Sequence, residues 1–515
     1  MRSRLFACKP LSLLLEEMEG ENRLRRVLGP VQLTSLGIGC IIGAGIFVIT
    51  GKVASQTTGP ALILSFVVAG IACVFAALCY AEFASMAPVA GSAYTYAYAT
   101  LGELFAWIIG WDLVLEYTVA SAAVAQGWSS YFQSFIGLFN LKVPAHFAVA
   151  PVQVHHGHVV ASGSYFNLPA VVIGVILTAV LVKGIRESAA SNAAMVILKV
   201  AIVVFVVVVG ALHVDPANWT RYGGFAPYGW SGLSLFGKPI LGKIGPNGLP
   251  AGMLAGAAMV FFAYIGFDSV STHAEEARNP QRDVPIGIVA SLAICTVLYI
   301  SVAAVLTGMV PYTQLDPHAA VAVAFSQVGL PWAEYLIAFG AVVGITSVLL
   351  VLMLSQPRVL LAMARDGLLP KSFFGAVHPR FRTPWKATIL TGTVVTMLAA
   401  LLPLDILAEL VNIGTLLAFV IVCLAVLVMR RTHPDAKRPF RCPAVPLVPG
   451  LGVLFCLLLM FSLPSENWLR LFIWLAIGLV IYWTYGRHHS VMAHYQPNRA
   501  EKEEPAAARA ERGER

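Results

Sequence analysis

The stretch Gly37-Ile38-Gly39-Cys40-Ile41-Ile42-Gly43-Ala44-Gly45-Ile46-Phe47 lies in the middle of the first long apolar run of the chain. A helix in lipid must satisfy its own backbone, yet glycine is among the weakest helix formers and four are placed here. The helix is therefore expected to break. Broken backbone at mid-membrane depth exposes N–H and C=O groups that cost several kcal/mol each in hydrocarbon, so a break survives where it lines a cavity or meets a ligand. The N–H groups of Gly43, Ala44 and Gly45 would open a second half-helix whose positive dipole end suits a carboxylate. The C=O groups of Ile41 and Ile42 would close the first half and suit an ammonium. One small zwitterion satisfies both. The competing account is that these glycines only let two helices approach closely.

With 58% hydrophobic and 12% charged residues, 515 residues hold more apolar surface than a water-soluble core can hide. The expected fold is an all-α polytopic membrane protein. Windows of about twenty apolar residues fall near 32–53, 58–86, 100–136, 166–183, 189–212, 250–272, 286–310, 332–363, 386–402, 405–429, 447–463 and 467–486, which predicts twelve transmembrane helices. The polar alternation of barrel strands is absent. With the N-terminus in the cytoplasm, 27 of the 34 Lys and Arg fall inside, six outside and one, Lys199, within a span. That bias obeys the positive-inside rule with both termini in the cytoplasm, and the expected location is the plasma (inner) membrane. The net charge of +8 then serves the anionic leaflet of the lipid bilayer, with no nucleic acid partner.

The eight cysteines, Cys8, Cys40, Cys73, Cys79, Cys295, Cys423, Cys442 and Cys456, show no Cys-x-x-Cys spacing, and neither a disulfide framework nor a metal site is expected. Residues 1–30 read as a cytoplasmic arm and 487–515 as a disordered cytoplasmic tail. Between them, 31–486 form the twelve-helix domain. The segment from Pro88 to Tyr98 is too polar for a lipid-facing helix and too aromatic for a plain linker, and is expected along the inner interface. Glu82, at the end of the second run, reads as a solvated helix end, with a gating role as the alternative. The loop 137–165 carries His146, His155, His156 and His158 and reads as a surface loop.

Charged side chains inside apolar runs are functional candidates. Asp112 and Glu116 are four apart and share one helical face. Lys199 has about ten apolar or small residues on either side, too far for its ammonium to reach an interface, and central placement costs at least roughly 2.5–3.5 kcal/mol. Two accounts stand for it: a proton carrier, since burial makes its charge costly to keep, or a fixed cation paired with a carboxylate or with the carbonyls of a broken helix. The sixth run repeats the oddity of the first, with Gly266 and Asp268 interrupting Phe261-Phe262-Ala263-Tyr264-Ile265-Gly266-Phe267-Asp268. Interrupted helices in corresponding positions of two halves point to an inverted-repeat transporter with its site between the repeats.

Gly43-Ala44-Gly45-Ile46-Phe47, Gly59-Pro60-Ala61, Pro88-x-Ala-Gly-Ser-x-Tyr-x-Tyr, Phe262 to Asp268, Glu275-Glu276-x-x-Asn-Pro, Arg365-Asp366-Gly367 and Arg438-Pro439-Phe440-Arg441 together resemble the amino acid–polyamine–organocation superfamily, in its bacterial branch similar to cationic amino acid transporters. The likeness runs from about residue 23 to 486. It implies a five-plus-five inverted repeat with discontinuous helices 1 and 6, the repeats at 31–212 and 250–430, and two added helices at 447–486. It implies a substrate carboxylate on the backbone of Gly43, Ala44 and Gly45, an ammonium on carbonyls of Ile41, Phe262, Ala263 and Ile265, and Phe262 as a gate. Lys199 matches the fifth-helix lysine that stands in for sodium in proton-coupled members, Glu116 a third-helix acid near the pocket, and Asp268 a sixth-helix acid with a gating or structural role. Many relatives carry threonine where Ala44 stands, so one hydroxyl contact is missing.

The reading is an amino acid permease importing its small-molecule substrate with a proton by alternating access, without a cofactor and without catalysis. Exchange or sodium coupling is the rival within transport, although the Lys199 ammonium would repel sodium. A membrane-embedded enzyme lacks any nucleophile–base spacing or metal signature. A nontransporting sensor is a further alternative.

Overall fold

The computed structural model describes residues 8–10, 28–86, 92–155, 158–184, 189–317 and 319–494. The first apolar run forms helix α1, Pro30–Ile41, with proline in its first turn. It then loses helical geometry at Ile42, whose backbone is extended, and resumes as α2 over residues 45–58. α2 alternates wide π turns at Gly45–Ile49 and Ala54–Thr58 around one α turn, Thr50–Val53. Gly59, with φ of 61°, and Pro60 turn the chain into α3, Leu62–Met86; that left-handed backbone favours glycine.

After α4, Ser92–Thr100, come α5, Glu103–Gly137, α6, Leu168–Lys183, and α7, Ala189–Ala211. The second interrupted run holds α8, Met253–Val260, a 3-10 turn over Phe261–Tyr264, and the single turn α9, Ser269–Thr272. Then follow α10, Pro280–Met309, α11, Ala320–Gln327, α12, Pro331–Arg365, α13, Trp385–Leu401, α14, Leu404–Thr432, α15, Leu447–Ser462, and α16, Ser465–Ile481. The loops carry small antiparallel pairs: β1, Val152–His155, opposite β2, His158–Ala161; β3, Leu233–Leu235, opposite β4, Lys238–Leu241; and β5, Lys243–Ile244, opposite β6, Pro250–Ala251.

Among the described residues, eight helices are long and apolar enough to cross a bilayer, and four apolar helices are shorter: α1, α6, α13 and α15. Apolar side chains on the outer helices face outward, as Leu469, Phe472, Ile473, Ile477 and Val480 do along α16. Their spacing of three and four draws one stripe along the helix. At the centre, α5 and α12 pack against each other along much of their length, and α3 packs against α10.

Two expectations change, those for Glu82 and for the C-terminal tail. The segment around Tyr94 to Tyr98 is not exposed: α4 is buried among α5, α9 and α14. Its tyrosines place their hydroxyls inward, Tyr94 donating to Asp366 at 2.6 Å and Tyr98 to Glu103 at 3.1 Å. Pro88 and the adjoining residues through Gly91 lie outside the described residues. Glu82 is not solvated: Arg430 donates to both of its oxygens at 2.9 and 2.8 Å, and the Cys442 N–H donates at 2.7 Å. The C-terminal tail begins later than 487, because residues up to His494 form short helices and Val491 N–H donates to the Asp366 carbonyl at 2.9 Å. Residues 495–515, and most of the arm at 1–30, lie outside the described residues.

Candidate functional site

The two breaks are built against each other. A Cβ placed on Gly45 would lie 2.3 Å from the Ala263 Cα, and one on Gly266 would lie 3.0 Å from the Cys40 carbonyl oxygen. Each glycine is thus pressed on the other break's backbone, a contact only a residue without a side chain allows. Gly266 also has φ of 115°. The long helix α5 runs behind both: a Cβ on Gly127 would come within 2.7 Å of the Ala44 Cβ, Tyr131 donates to the Phe47 carbonyl at 2.8 Å, and Tyr117 donates to Asp268 at 3.1 Å.

Gly43, Ala44 and Gly45 open α2, and among the described residues their N–H groups have no backbone acceptor. They are the orphan donors of a helix start, carrying its partial positive charge. Phe262, Ala263 and Ile265 are all buried. The Ile265 N–H donates to the Phe262 carbonyl at 3.3 Å, while Ile265 itself is extended and carries the chain out of the 3-10 turn. Asn412 of α14 caps the end of α8, donating to Ala258 at 2.8 Å and to Met259 at 3.3 Å.

The carbonyls that end α1 are not open, as the sequence suggested, but already hold donors. Tyr299 of α10 donates to the Ile41 carbonyl at 2.8 Å. Lys199 is fully buried and donates to the Gly39 carbonyl at 2.6 Å, the Ile42 carbonyl at 3.2 Å and the Ser347 hydroxyl at 2.8 Å. No carboxylate pairs with Lys199 among the described residues. The lysine therefore staples α1 to α7 and α12 through neutral acceptors, with broken-helix carbonyls and not a carboxylate as its partners.

On the α5 side stand three buried carboxyl groups. Asp112 has neither oxygen bonded, Glu116 leaves Oε1 and Asp268 leaves Oδ1 without a partner among the described residues. Glu116 faces both Asp268 and Asp112, and Asp112 abuts Gly414 of α14. This wall offers acceptors, and the mouth of α2 offers donors. Among the described residues no group of three or more metal-binding side chains is found; His146 stacks on Tyr165, and His156 lies outside the described residues.

A family model described as Amino acid permease matches residues 28–483. The chain belongs to that family, within the amino acid–polyamine–organocation superfamily. It is 47% identical over 490 residues to the methylthioribose transporter of Bacillus subtilis (strain 168), covering 95% of this chain and 99% of that one. It is also 47% identical over 491 residues to the branched-chain amino acid permease BcaP of the same organism, with the same shares covered. The vacuolar cationic amino acid transporter 4 of Arabidopsis thaliana is 40% identical over 428 residues, 82% of this chain and 66% of that protein. The family is one of membrane transporters, and the permease is not an enzyme.

Sequence reasoning missed the residues of this permease that hold the break from outside it. Tyr299, Ser347, Tyr117 and Tyr131 are single polar residues in long apolar helices, and nothing beside them in the sequence names the partner of the hydroxyl. Their count in buried runs was the only available signal.

Proposed function

We propose that this permease imports an α-amino acid together with a proton by alternating access. The observation that carries the reading is the pair of facing helix breaks with a buried lysine bonded to the carbonyls that end the first. The substrate carboxylate meets the N–H groups of Gly43, Ala44 and Gly45; its ammonium meets carbonyls of the second break at Phe262, Ala263 and Ile265, with a remaining lone pair of Ile41 at hand. Phe262 closes over it. Glu116, next to Asp268, faces the substrate from α5. A donor-rich helix start opposite acceptor-rich backbone and carboxyl groups suits a molecule with an anionic end and a cationic end.

Lys199 carries the proton. As an ammonium it has three hydrogens and a positive charge for its three acceptors; as an amine it has two hydrogens and no charge, and its bonds to the carbonyls lose their charge assistance. Losing the proton therefore loosens α1 from α7 and α12, which opens the inner side. The ion pair of Lys52 on α2 with Asp405 on α14 closes the outer side, and Arg358 with Glu276, 3.3 Å apart, the inner one. The twelve apolar windows cross the plasma membrane twelve times, with both termini in the cytoplasm. Matching lengths support the inverted repeat, since α5 and α12, third in their halves, each have 35 residues.

Purified protein in liposomes, loaded alkaline inside and given labelled L-valine, L-arginine or L-alanine outside, tests the reading. Accumulation above equilibrium of at least one, abolished by collapsing the pH gradient and indifferent to sodium, is the expected result. Uptake that ignores the gradient refutes proton coupling. The relative named for methylthioribose supplies a second reading, a neutral sugar thioether as substrate. Methylthioribose competing where no amino acid does would favour it.

A further inference from the structure

A cavity of about 450 Å³ opens on the side of the protein away from Pro30, above the second break. Lys52, Met259, Asp405, Glu409 and Arg470 line it. Met259 forms its floor, one residue before the last of α8 and next to the turn at Phe261–Tyr264. The volume lies within the range of small-molecule sites, about 300–1,000 Å³.

Lys52 and Asp405 form an ion pair, whereas Glu409 and Arg470 make no direct bond to each other among the described residues; Glu466 also lines the cavity. Asn467, fully buried at the start of α16, donates its amide Nδ2–H to Glu409 at 3.1 Å and accepts from Arg470 at 3.0 Å through Oδ1. The amide stands between carboxylate and guanidinium and fixes both. Among the described residues no carboxylate lies within ion-pair distance of Arg470. Guanidinium groups match carboxylates in a fork geometry, and a carboxylate held by an amide still has acceptor sites for an ammonium. An acid and a base kept apart by a spacer, facing one cavity of the right size, form a receptor for a ligand with the opposite charges a similar distance apart.

We infer that Glu409 and Arg470 form a second, outer binding site for a zwitterionic α-amino acid, which holds the substrate one step outside the paired helix breaks. Arg470 takes the carboxylate and Glu409 the ammonium. The inference rests on the amino acid reading only for the class of ligand.

Equilibrium binding of labelled L-valine and L-arginine to the full-length protein in lipid nanodiscs tests it, with sites counted per chain. Wild type is expected to bind two molecules of the preferred probe. Gly45→Val fills the contact with Ala263 and should keep one. Adding Arg470→Gln or Glu409→Gln to it should weaken the remaining site at least tenfold, while Arg470→Lys weakens it less. One site in wild type, or a residual site indifferent to both neutral variants, overturns the inference and leaves the amino acid reading standing. No binding of either probe by a wild type that also fails in uptake overturns both.

Discussion

Replacing Lys199 by methionine removes three hydrogen bonds while keeping an unbranched side chain only one atom shorter. Ser347 still donates to the Gly344 carbonyl at 2.9 Å, so the loss falls on the carbonyls of Gly39 and Ile42. Two buried acceptors left without a donor cost about 1–3 kcal/mol each, about 2–6 kcal/mol together. The penalty applies where α1 is packed away from water and vanishes where α1 has swung out and its carbonyls are hydrated. The closed-to-open equilibrium of α1 should therefore shift toward opening by roughly thirtyfold at the low end and over ten-thousandfold at the high end. Cys40, buried one residue before Ile41 and covered by Gly266, reports the change. Its labelling by a small maleimide, followed by peptide-resolved mass spectrometry, should be slow in wild type and at least ten times faster in Lys199→Met. Gradient-driven accumulation should be lost while amino acid exchange across the liposome membrane persists. Unchanged labelling together with uptake still driven by the pH gradient would refute the staple and the proton role at once.

Gly45→Ala should lower uptake at least tenfold in a protein that still inserts, because its methyl must push back the Ala263 backbone, an overpacking strain of about 1–3 kcal/mol; uptake at wild-type rate removes the contact from the site. Asp405→Asn breaks the outer pair with Lys52. Both side chains are about a fifth exposed, so the thermal midpoint should barely move, about 1 kcal/mol at most, while maleimide access to a cysteine placed at Gln56 should rise. Glu82→Gln takes the acid from beneath Arg430 and Arg438, the latter 3.2 Å away. Breaking a buried pair costs about 3–5 kcal/mol, so the variant should show a clearly lower thermal midpoint, measured in detergent by intrinsic fluorescence.

What could be read from the sequence was the local contradiction. Glycine clusters and single charges in apolar runs conflict with a lipid-spanning helix wherever they occur, and both breaks and Lys199 announced themselves that way. What could not be read was the resolution of each conflict by a distant helix. Nothing near Ile41 predicts that Tyr299 caps its carbonyl, and nothing near Lys199 predicts Ser347. The same limit explains α4: nothing in its short, tyrosine-rich segment predicts that Asp366 and Glu103, far along the chain or beyond the turn, receive two of its hydroxyls. Ala44 is a milder case, since its small side chain is explained by Gly127 pressing on it from α5.

The break in the first run has a mechanical consequence for the proposed cycle. The inner staple, Lys199 to Gly39 and Ile42, acts on α1, and the outer pair, Lys52 to Asp405, acts on α2. Were residues 30–58 one continuous helix, the cooperative hydrogen-bond ladder would make it a stiff rod, and releasing the inner end would lever the outer end in the opposite direction. Both gates would then move in one step, with an intermediate open to both sides. The non-helical residues at Ile42 and Gly43 uncouple the halves, so that α1 can swing when Lys199 lets go while Lys52 still holds α2. Substrate bound across the break touches both halves, and it is the group best placed to decide which one is free to move. A variant that restores helix across the break should consequently lose transport by leaking, not by jamming: its liposomes should release preloaded substrate without exchange partner or gradient, whereas a variant that merely blocks the site should release none.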